Sequence, residues 1–377
     1  MKKLIESFIS SKIQQGLFSG CQVLVAHKGE TLVELSRGFM VEHSNAPLER
    51  VTPQTLFNIE SITKVMVTLP LVFKLVEQGR LNLENKLVDY LPEFGTDEFK
   101  TRVTLRDMLN FTAGISLEDP QGCEAAALEK DLEKVWELHY TQKLSAQPGT
   151  RVFYSDVSCR ILGKLLERLF GADLGTAARQ FIFEPLNMKD TMFTPENQAR
   201  CAATGTSDSG RNLRGSLCQD LEHNMGGILG SDGLFTTAQD MLKFSAMLLN
   251  QGILGGNRLF GRHTVGKMTG AVTNEALYET PTSYLHYILS GPKVWFWEYG
   301  KSPYSFFGDL VSNRAIGKMG GAGTFLLIDP ALDLIVIYLT NYGQPENTLE
   351  GEASWTKFQN DINMPGLCNL IIGNLGC

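Results

Sequence analysis

The sequence predicts an α+β fold in which both ends of the chain build one antiparallel sheet around a mostly helical middle. Two hairpins support this prediction. Residues 22–27 and 31–38 flank a turn made by Gly29, and residues 324–328 and 334–340 flank a turn that contains Pro330. The third observation is the length of 377 residues, which exceeds the usual size of one domain and predicts two lobes or a large insertion.

The distribution of helical and strand patterns sets the predicted lobe boundaries. Residues 1–95 and 230–377 are expected to form the sheet lobe. Residues 96–229 have mostly helical patterns joined by long polar connections, and we expect them to form the second lobe. Residues 156–170 predict a helix in this lobe, and residues 238–249 predict an amphipathic helix in the sheet lobe, capped by a threonine at 236 or 237.

The composition excludes several classes of partner. Apolar residues make up 43% of the chain and charged residues 20%, which is typical of a globular protein with a large core. A net charge of −7 without a cluster of Lys and Arg argues against nucleic acid. No apolar run is long enough to span a bilayer, and Glu6 and Lys12 interrupt any signal-peptide pattern. Seven scattered cysteines predict reduced thiols in a cytoplasmic protein.

The chemistry of the chain is expected around residues 57–64. Apolar residues at helical spacing follow this stretch, so a helix should begin near Ser61 and end at Gly79. Ser61 and Lys64 then lie three residues apart on one helix face, where their side chains meet. A lysine kept neutral can take the proton of a serine hydroxyl, and the N–H groups at a helix start favour a developing negative charge.

This short motif is specific only in context. A second Ser-x-x-Lys match, Ser290 to Lys293, contains a glycine and a proline that prevent the required helix. The Gly-x-Ser-x-Gly and His-Glu-x-x-His motifs do not occur, and residues 261–268 only approximate a phosphate loop. We therefore expect a serine-dependent site without a metal or another cofactor.

Two further elements complete a serine-lysine site. Tyr154 precedes an amphipathic helix, and a tyrosine beside a lysine ammonium can act as a base or a proton shuttle. Lys318, Met319, Gly320 and Gly321 precede a predicted strand, where the glycines let a substrate lie along the strand and a backbone N–H can face an oxyanion. Taken singly, Tyr154 is better explained as a buried aromatic residue beside a capping aspartate, and residues 318–321 as an ordinary glycine-rich turn.

Together and in this order, the three elements resemble the serine β-lactamase and penicillin-binding-protein superfamily. The likeness is to class C β-lactamase-like (family VIII) esterases and D-stereospecific peptidases, over residues 20–341, and includes residues 88–94, 105–114, 185–192 and 232–240. The resemblance implies an antiparallel sheet flanked by helices, with the site in the cleft beside a helical lobe. It also implies roles for eight residues: Ser61 as nucleophile, Lys64 as base, Tyr154 as proton shuttle, Ser61 and Gly321 as oxyanion donors, and Asp156, Lys318, Met319 and Gly320 as substrate-binding residues.

Departures from the family pattern restrict the substrate. Met319 replaces a hydroxyl residue that helps to bind carboxylates, and Asp156 stands where many members have asparagine. The added negative charge would repel an anionic substrate, so both changes argue against efficient β-lactamase or carboxypeptidase action. Lys318 is retained, and we expect it either to pair with Asp156 or to receive a substrate anion.

The sequence predicts a serine hydrolase that forms an acyl-enzyme and cleaves small or medium carboxylic esters. A D-amino-acid amidase or peptidase, a weak β-lactamase and an acyltransferase are the enzymatic alternatives, with a small-molecule ester or amide as substrate. A non-catalytic binding or self-assembling scaffold is the alternative from another class. The aromatic side chains of residues 295–297 and 299 are expected to line an acyl pocket or, equally, to pack in the core.

Overall fold

The computed structural model describes residues 1–41, 49–206, 212–278, 280–300, 302, 304–343 and 351–376. Its strands are β1 (Gly20–His27), β2 (Glu30–Gly38), β3 (Phe57–Asn58), β4 (Ala203–Thr206), β5 (Asn212–Arg214), β6 (Phe235–Thr236), β7 (Ile253–Leu254), β8 (Asn257–Arg258), β9 (Lys293–Val294), β10 (Trp297–Tyr299), β11 (Ile316–Gly320), β12 (Thr324–Asp329) and β13 (Leu334–Thr340). Its α-helices are α1 (Lys2–Gln14), α2 (Leu69–Glu77), α3 (Leu105–Leu109), α4 (Cys123–Leu128), α5 (Leu132–Thr141), α6 (Asp156–Phe170), α7 (Leu174–Ala178), α8 (Asp220–Asn224), α9 (Ala238–Leu249), α10 (Arg262–Thr269), α11 (Tyr284–Ser290), α12 (Gly351–Ile362) and α13 (Met364–Ile372).

Both ends of the chain build one seven-stranded sheet, as the two hairpins predict. The strand order is β2-β1-β13-β12-β11-β10-β9, and every pairing in it is antiparallel. The N-terminal hairpin joins the C-terminal one through β1 and β13, where Val25 lies opposite Val336. β12 is the central strand of this order, and its neighbour β11 packs against the turn that carries Ser61.

Helices cover both faces of the sheet, so its central strands are apolar on both sides. On β13, Ile335, Ile337 and Leu339 face the core shared with α2, α6 and α9. The alternate residues Val336 and Tyr338 face a second core, shared with α1 and α13. The C-terminal helix α13 therefore covers the sheet face opposite the Ser61 helix.

The predicted helices at residues 156–170 and 238–249 match α6 and α9, and Thr237 caps α9 by accepting the N–H of Asp240. The helix expected from Ser61 to Gly79 is interrupted. It starts as a 3-10 turn (Glu60–Ile62), continues as a π turn (Lys64–Thr68) and becomes α2 only at Leu69. Single π turns occur often at functional sites, where they redirect side chains.

The expectations about membrane spans, cysteines, lobe boundaries and location remain to be compared with the structure. No helix among the described residues is both long enough and apolar enough to cross a bilayer. The six described cysteines are free thiols, whereas Cys377 lies outside the described residues. The predicted lobe boundaries and the cytoplasmic location stay predictions.

Candidate active site

Ser61 and Lys64 meet as their spacing predicts. Ser61 is the middle residue of the 3-10 turn, and Lys64 is the first residue of the π turn. Lys64 Nζ donates a hydrogen bond to Ser61 Oγ at 2.8 Å and another to the carbonyl oxygen of Ser231 at 3.0 Å. Because the Lys64 side chain is completely buried, its orientation is set by these partners.

Tyr154, two residues before the start of α6, also contacts the Ser61 hydroxyl. Its backbone N–H donates to the carbonyl of Leu289 at 2.9 Å, and its ring packs against Phe111 with centroids 5.0 Å apart. The Tyr154 hydroxyl then donates to Ser61 Oγ at 2.9 Å. Ser61 Oγ is thus hydrogen-bonded both to Lys64, three residues away in sequence, and to Tyr154, 93 residues away in sequence.

Two carboxylates surround the Lys64 ammonium. Asp156, in the first turn of α6, places Oδ1 at 2.6 Å from Lys64 Nζ, and Asp232 Oδ2 lies at 4.0 Å. Burial disfavours the charged lysine, but these two acids outweigh it and hold the pKa of Lys64 well above its usual value. The neutral lysine expected from the sequence is therefore not the resting form. Burial raises the pKa of Tyr154, although Lys64 opposes that shift.

Lys318 pairs with Glu298. The expectation that Lys318 pairs with Asp156 was wrong. Strand β10 pairs with β11 so that Glu298 lies opposite Gly317, and the Glu298 carboxylate contacts Lys318 Nζ at 2.5 Å. Both side chains are only 1% exposed. Burial lowers the pKa of Lys318, while Glu298 counters part of that shift. Glu298 is therefore the partner of this lysine among the described residues, and the expectation that Lys318 receives a substrate anion stays a prediction.

The C-terminal end of β11 lies directly against the segment that precedes Ser61. Gly320 pairs with Thr324, and the Thr324 hydroxyl donates to the carbonyl oxygen of Ile59 at 3.3 Å. A Cβ at Gly320 would lie 2.4 Å from that carbonyl oxygen, so only glycine permits this approach. Gly321 follows immediately and lines the same cavity as Ser61.

Glu60 is a member of the site that sequence reasoning missed. It is 2% exposed and has a left-handed backbone conformation, with φ of 43°. The Cys218 thiol donates to Glu60 Oε1 at 2.9 Å, and the N–H groups of Gly321 and Ala322 stabilise the charged carboxylate. Burial nevertheless raises the pKa of Glu60 to about 7. The only sequence signal for Glu60 is its position directly before Ser61.

The side chains enclose a cavity of about 170 Å³. Of the predicted site residues, its walls include Ser61, Tyr154, Asp156, Lys318, Met319 and Gly321. Lys64 lies beneath Ser61, and Gly320 packs against Ile59 behind the wall. The remaining wall residues were not predicted from the sequence: Glu60, Leu117, Gln219, Asp232, Ile288, Leu289 and Glu298.

The aromatic group does not line this cavity. Trp295, Phe296 and Trp297 are at most 1% exposed and belong to the main core. Of the two interpretations left open for these residues, core packing is confirmed for the three. Ile288 and Leu289, at the end of α11, supply the apolar wall instead.

Comparisons with known proteins agree with this architecture. A family model described as β-lactamase matches residues 5–356. The N-acetylmuramyl-L-alanine amidase of Bacillus subtilis (strain 168) is 28% identical over 374 residues, covering 90% of this chain and 81% of the amidase. A solved family VIII carboxylesterase has a TM-score of 0.70 at 19% identity, covering 97% of this chain and 96% of its own. EstCE1, a hydrolase with promiscuous acyltransferase activity, has a TM-score of 0.72 at 19% identity, covering 96% of this chain and 97% of its own.

These similarities confirm the predicted β-lactamase/transpeptidase-like α+β fold and the superfamily. The family match extends over all the segments that form the cavity, from the Ser61 turn to β11. Members of this family and its structural neighbours include esterases and carboxypeptidases that act as serine hydrolases. The chain therefore belongs to the β-lactamase family of serine hydrolases.

Proposed function

We propose that this protein is a carboxylesterase that forms an acyl-enzyme on Ser61 and accepts small or medium uncharged acyl esters. One observation carries the proposal: Ser61 Oγ is within 2.9 Å of both Lys64 Nζ and the Tyr154 hydroxyl, on the wall of a small cavity. A scaffold has no physical need for this convergence, whereas a nucleophile does.

The charges of the cavity support an uncharged substrate. Lys318 is already paired with Glu298, Met319 has no donor, and Asp156 adds a negative charge beside Lys64. A substrate carboxylate would lack a free cationic partner on these walls and would be repelled by Asp156. This arrangement disfavours β-lactams and peptide C-termini, and it favours neutral esters.

The geometry supports a two-step reaction. Lys64 first gives up its own proton to bulk water. Ser61 Oγ then attacks the carbonyl carbon of the ester while the Ser61 proton passes to Lys64. Tyr154 carries a proton between Lys64 and the leaving alcohol, because its hydroxyl touches Ser61 Oγ. The N–H groups of Ser61 and Gly321 stabilise the oxyanion. Water then attacks the acyl-enzyme by the same route in reverse.

An amidase is the second candidate, because the matched Bacillus subtilis relative is an amidase at 28% identity. Transfer of the acyl group to an alcohol is also compatible with an acyl-enzyme, as in the promiscuous acyltransferase among the structural neighbours. Neither alternative needs a different nucleophile. The choice between them depends on the leaving group and the acceptor.

A substrate panel tests the proposed preference. We would compare kcat/KM for p-nitrophenyl butyrate, the anilide of butyric acid, a penicillin and a peptide ending in D-alanyl-D-alanine. The proposal predicts that the ester is the best substrate and that both carboxylate-bearing compounds are the poorest. A D-alanyl peptide or a penicillin turned over faster than the ester would contradict it, and a faster anilide would favour the amidase.

A further inference from the structure

A buried arginine holds two segments of the cavity wall to helix α6. We propose that Arg160 is a positioning residue that fixes Leu117 and Gln219 on the wall of the Ser61 cavity and so limits the length of the acyl chain. This inference rests on the proposed acyl-enzyme chemistry at Ser61. It adds a residue that determines specificity without lining the cavity itself.

Arg160 lies on α6, about one turn after the cavity-wall residue Asp156. Its side chain is only 1% exposed. One Nη atom donates to the Asp119 carboxylate, and the other donates to the Glu222 carboxylate. A guanidinium can bind two carboxylates at once because its N–H donors form a rigid fork. Arg160 therefore joins α6 to two segments that are distant from each other in sequence.

Each of these two carboxylates lies close in sequence to a residue of the cavity wall. Asp119 is two residues after Leu117, and Glu222 is three residues after Gln219, in the first turn of α8. The Leu117 side chain is 43% exposed, so burial of its apolar surface does little to hold it in place. The ion pair at Asp119 ties the Leu117 segment to α6, and the ion pair at Glu222 ties the start of α8 to the same helix.

Arg160 also contacts the helices behind these segments. The buried apolar side chains of α4, α5 and α8 form a cluster that is separate from the main core. On α5, the fully buried His139 donates from Nδ1 to the carbonyl oxygen of Val135 at 2.9 Å, so its Nε2 accepts from Arg160 at 3.4 Å. Burial and the Arg160 charge lower the pKa of His139 to about 4, so this imidazole is neutral at pH 7. One guanidinium thus links the separate cluster to α6 through three partners.

The links through Arg160 fix the size of the cavity. Its volume of about 170 Å³ is small beside the roughly 300–1,000 Å³ of pockets that hold drug-sized ligands. Its apolar wall consists of Leu117, Ile288 and Leu289, and the carbonyl of Leu289 is held by the N–H of Tyr154 at 2.9 Å. If the Leu117 segment could move away from this wall, a longer acyl chain would fit. One methylene in an apolar pocket changes the specificity constant by about 10–200-fold.

The experiment measures kcat/KM for p-nitrophenyl butyrate and p-nitrophenyl octanoate in wild type, Asp119→Ala, Glu222→Ala and Arg160→Met. The ratio of the octanoate value to the butyrate value is the quantity compared, because an unfolded fraction of the protein cancels in it. Each variant should raise this ratio about tenfold, because the released wall gives way to the longer chain. Arg168→Gln is the control on the same helix, since it breaks an ion pair with Glu93 and neither residue lines the cavity.

Arg160→Lys adds a graded test. Lysine keeps the positive charge but lacks the fork that binds two carboxylates, so its octanoate-to-butyrate ratio should lie between those of wild type and Arg160→Met. An arginine that only stabilised the fold would lower kcat/KM for both esters by the same factor. The ratio would then be the same in every variant.

The inference is overturned if the octanoate-to-butyrate ratio stays constant or falls in both Asp119→Ala and Glu222→Ala. An increase in either variant supports it for the segment which that variant releases. If Arg160→Met does not fold, these two variants still decide, because each keeps the guanidinium and removes one of its partners. Intact-mass detection of an acyl group on wild type but not on Ser61→Ala shows that the proposed function stands even when this inference fails.

Discussion

Replacing Asp156 with asparagine removes a charge from Lys64 while keeping the shape of the side chain. At the observed 2.6 Å, the attraction between the two charges is about 1.6 kcal/mol in water-like surroundings and about 6 kcal/mol at an effective dielectric constant of 20. One pKa unit corresponds to about 1.36 kcal/mol. Because 27% of the Asp156 side chain is exposed, we expect the pKa of Lys64 to fall by about 1–3 units.

The direct assay is an NMR titration of the Lys64 ¹³Cε resonance, assigned by comparison with Lys64→Arg. The neutral fraction of Lys64 at pH 7 should rise in Asp156→Asn, so ester turnover at pH 7 should increase as well. Asp232→Asn is the matched control, since its carboxylate lies at 4.0 Å and should give a smaller shift in the same direction. An unchanged titration in Asp156→Asn would refute this electrostatic reasoning. Loss of activity at every pH would instead show that Asp156 itself takes part in proton transfer.

Three further substitutions test the supporting structure. Gly320→Ala should cost about 1–3 kcal/mol of stability and slow acylation, because the new methyl lies 2.4 Å from the Ile59 carbonyl oxygen. Thermal unfolding measures the loss of stability, and burst kinetics measure the rate of acylation. Gly266→Ala is the control, because a Cβ there has no atom within 4 Å. Lys318→Met should cost about 3–5 kcal/mol in denaturant unfolding, because it leaves the Glu298 carboxylate buried and unpaired, and adding Glu298→Gln should recover most of that loss. The stability of wild type relative to Glu60→Gln should decrease by up to about 3 kcal/mol as the pH rises from 4.5 to 8, because the raised pKa of Glu60 favours the neutral form. Unchanged stability in Gly320→Ala or Lys318→Met would contradict the first two expectations. A difference in stability between wild type and Glu60→Gln that does not change with pH would contradict the third.

The sequence was most informative where local patterns and chain order act together. The spacing of Ser61 and Lys64 predicted a contact that the structure has at 2.8 Å, because three residues make almost one helical turn. The helices at 156–170 and 238–249 were predicted with their observed limits, because polar caps and apolar faces mark both ends. The sheet was predicted from two hairpins at opposite ends of the chain, which join through the antiparallel pair β1–β13.

The sequence was least informative about long-range charge pairing. Glu298 and Lys318 are 20 residues apart, and their contact depends on the register of β10 against β11, which no local pattern specifies. The charge of Lys64 depends on Asp156 and Asp232, which reach it only after folding. Glu60 was overlooked because its left-handed conformation and burial are properties of the folded turn.

Time-resolved intact-mass spectrometry tests the central claim, that Ser61 carries the acyl group. Wild type, Ser61→Ala and Tyr154→Phe would be mixed with p-nitrophenyl butyrate and, separately, with a fluorophosphonate. The account predicts one butyryl group on wild type, slower acylation in Tyr154→Phe and no adduct in Ser61→Ala. A folded wild-type protein without any adduct, or the same adduct in Ser61→Ala, would contradict it.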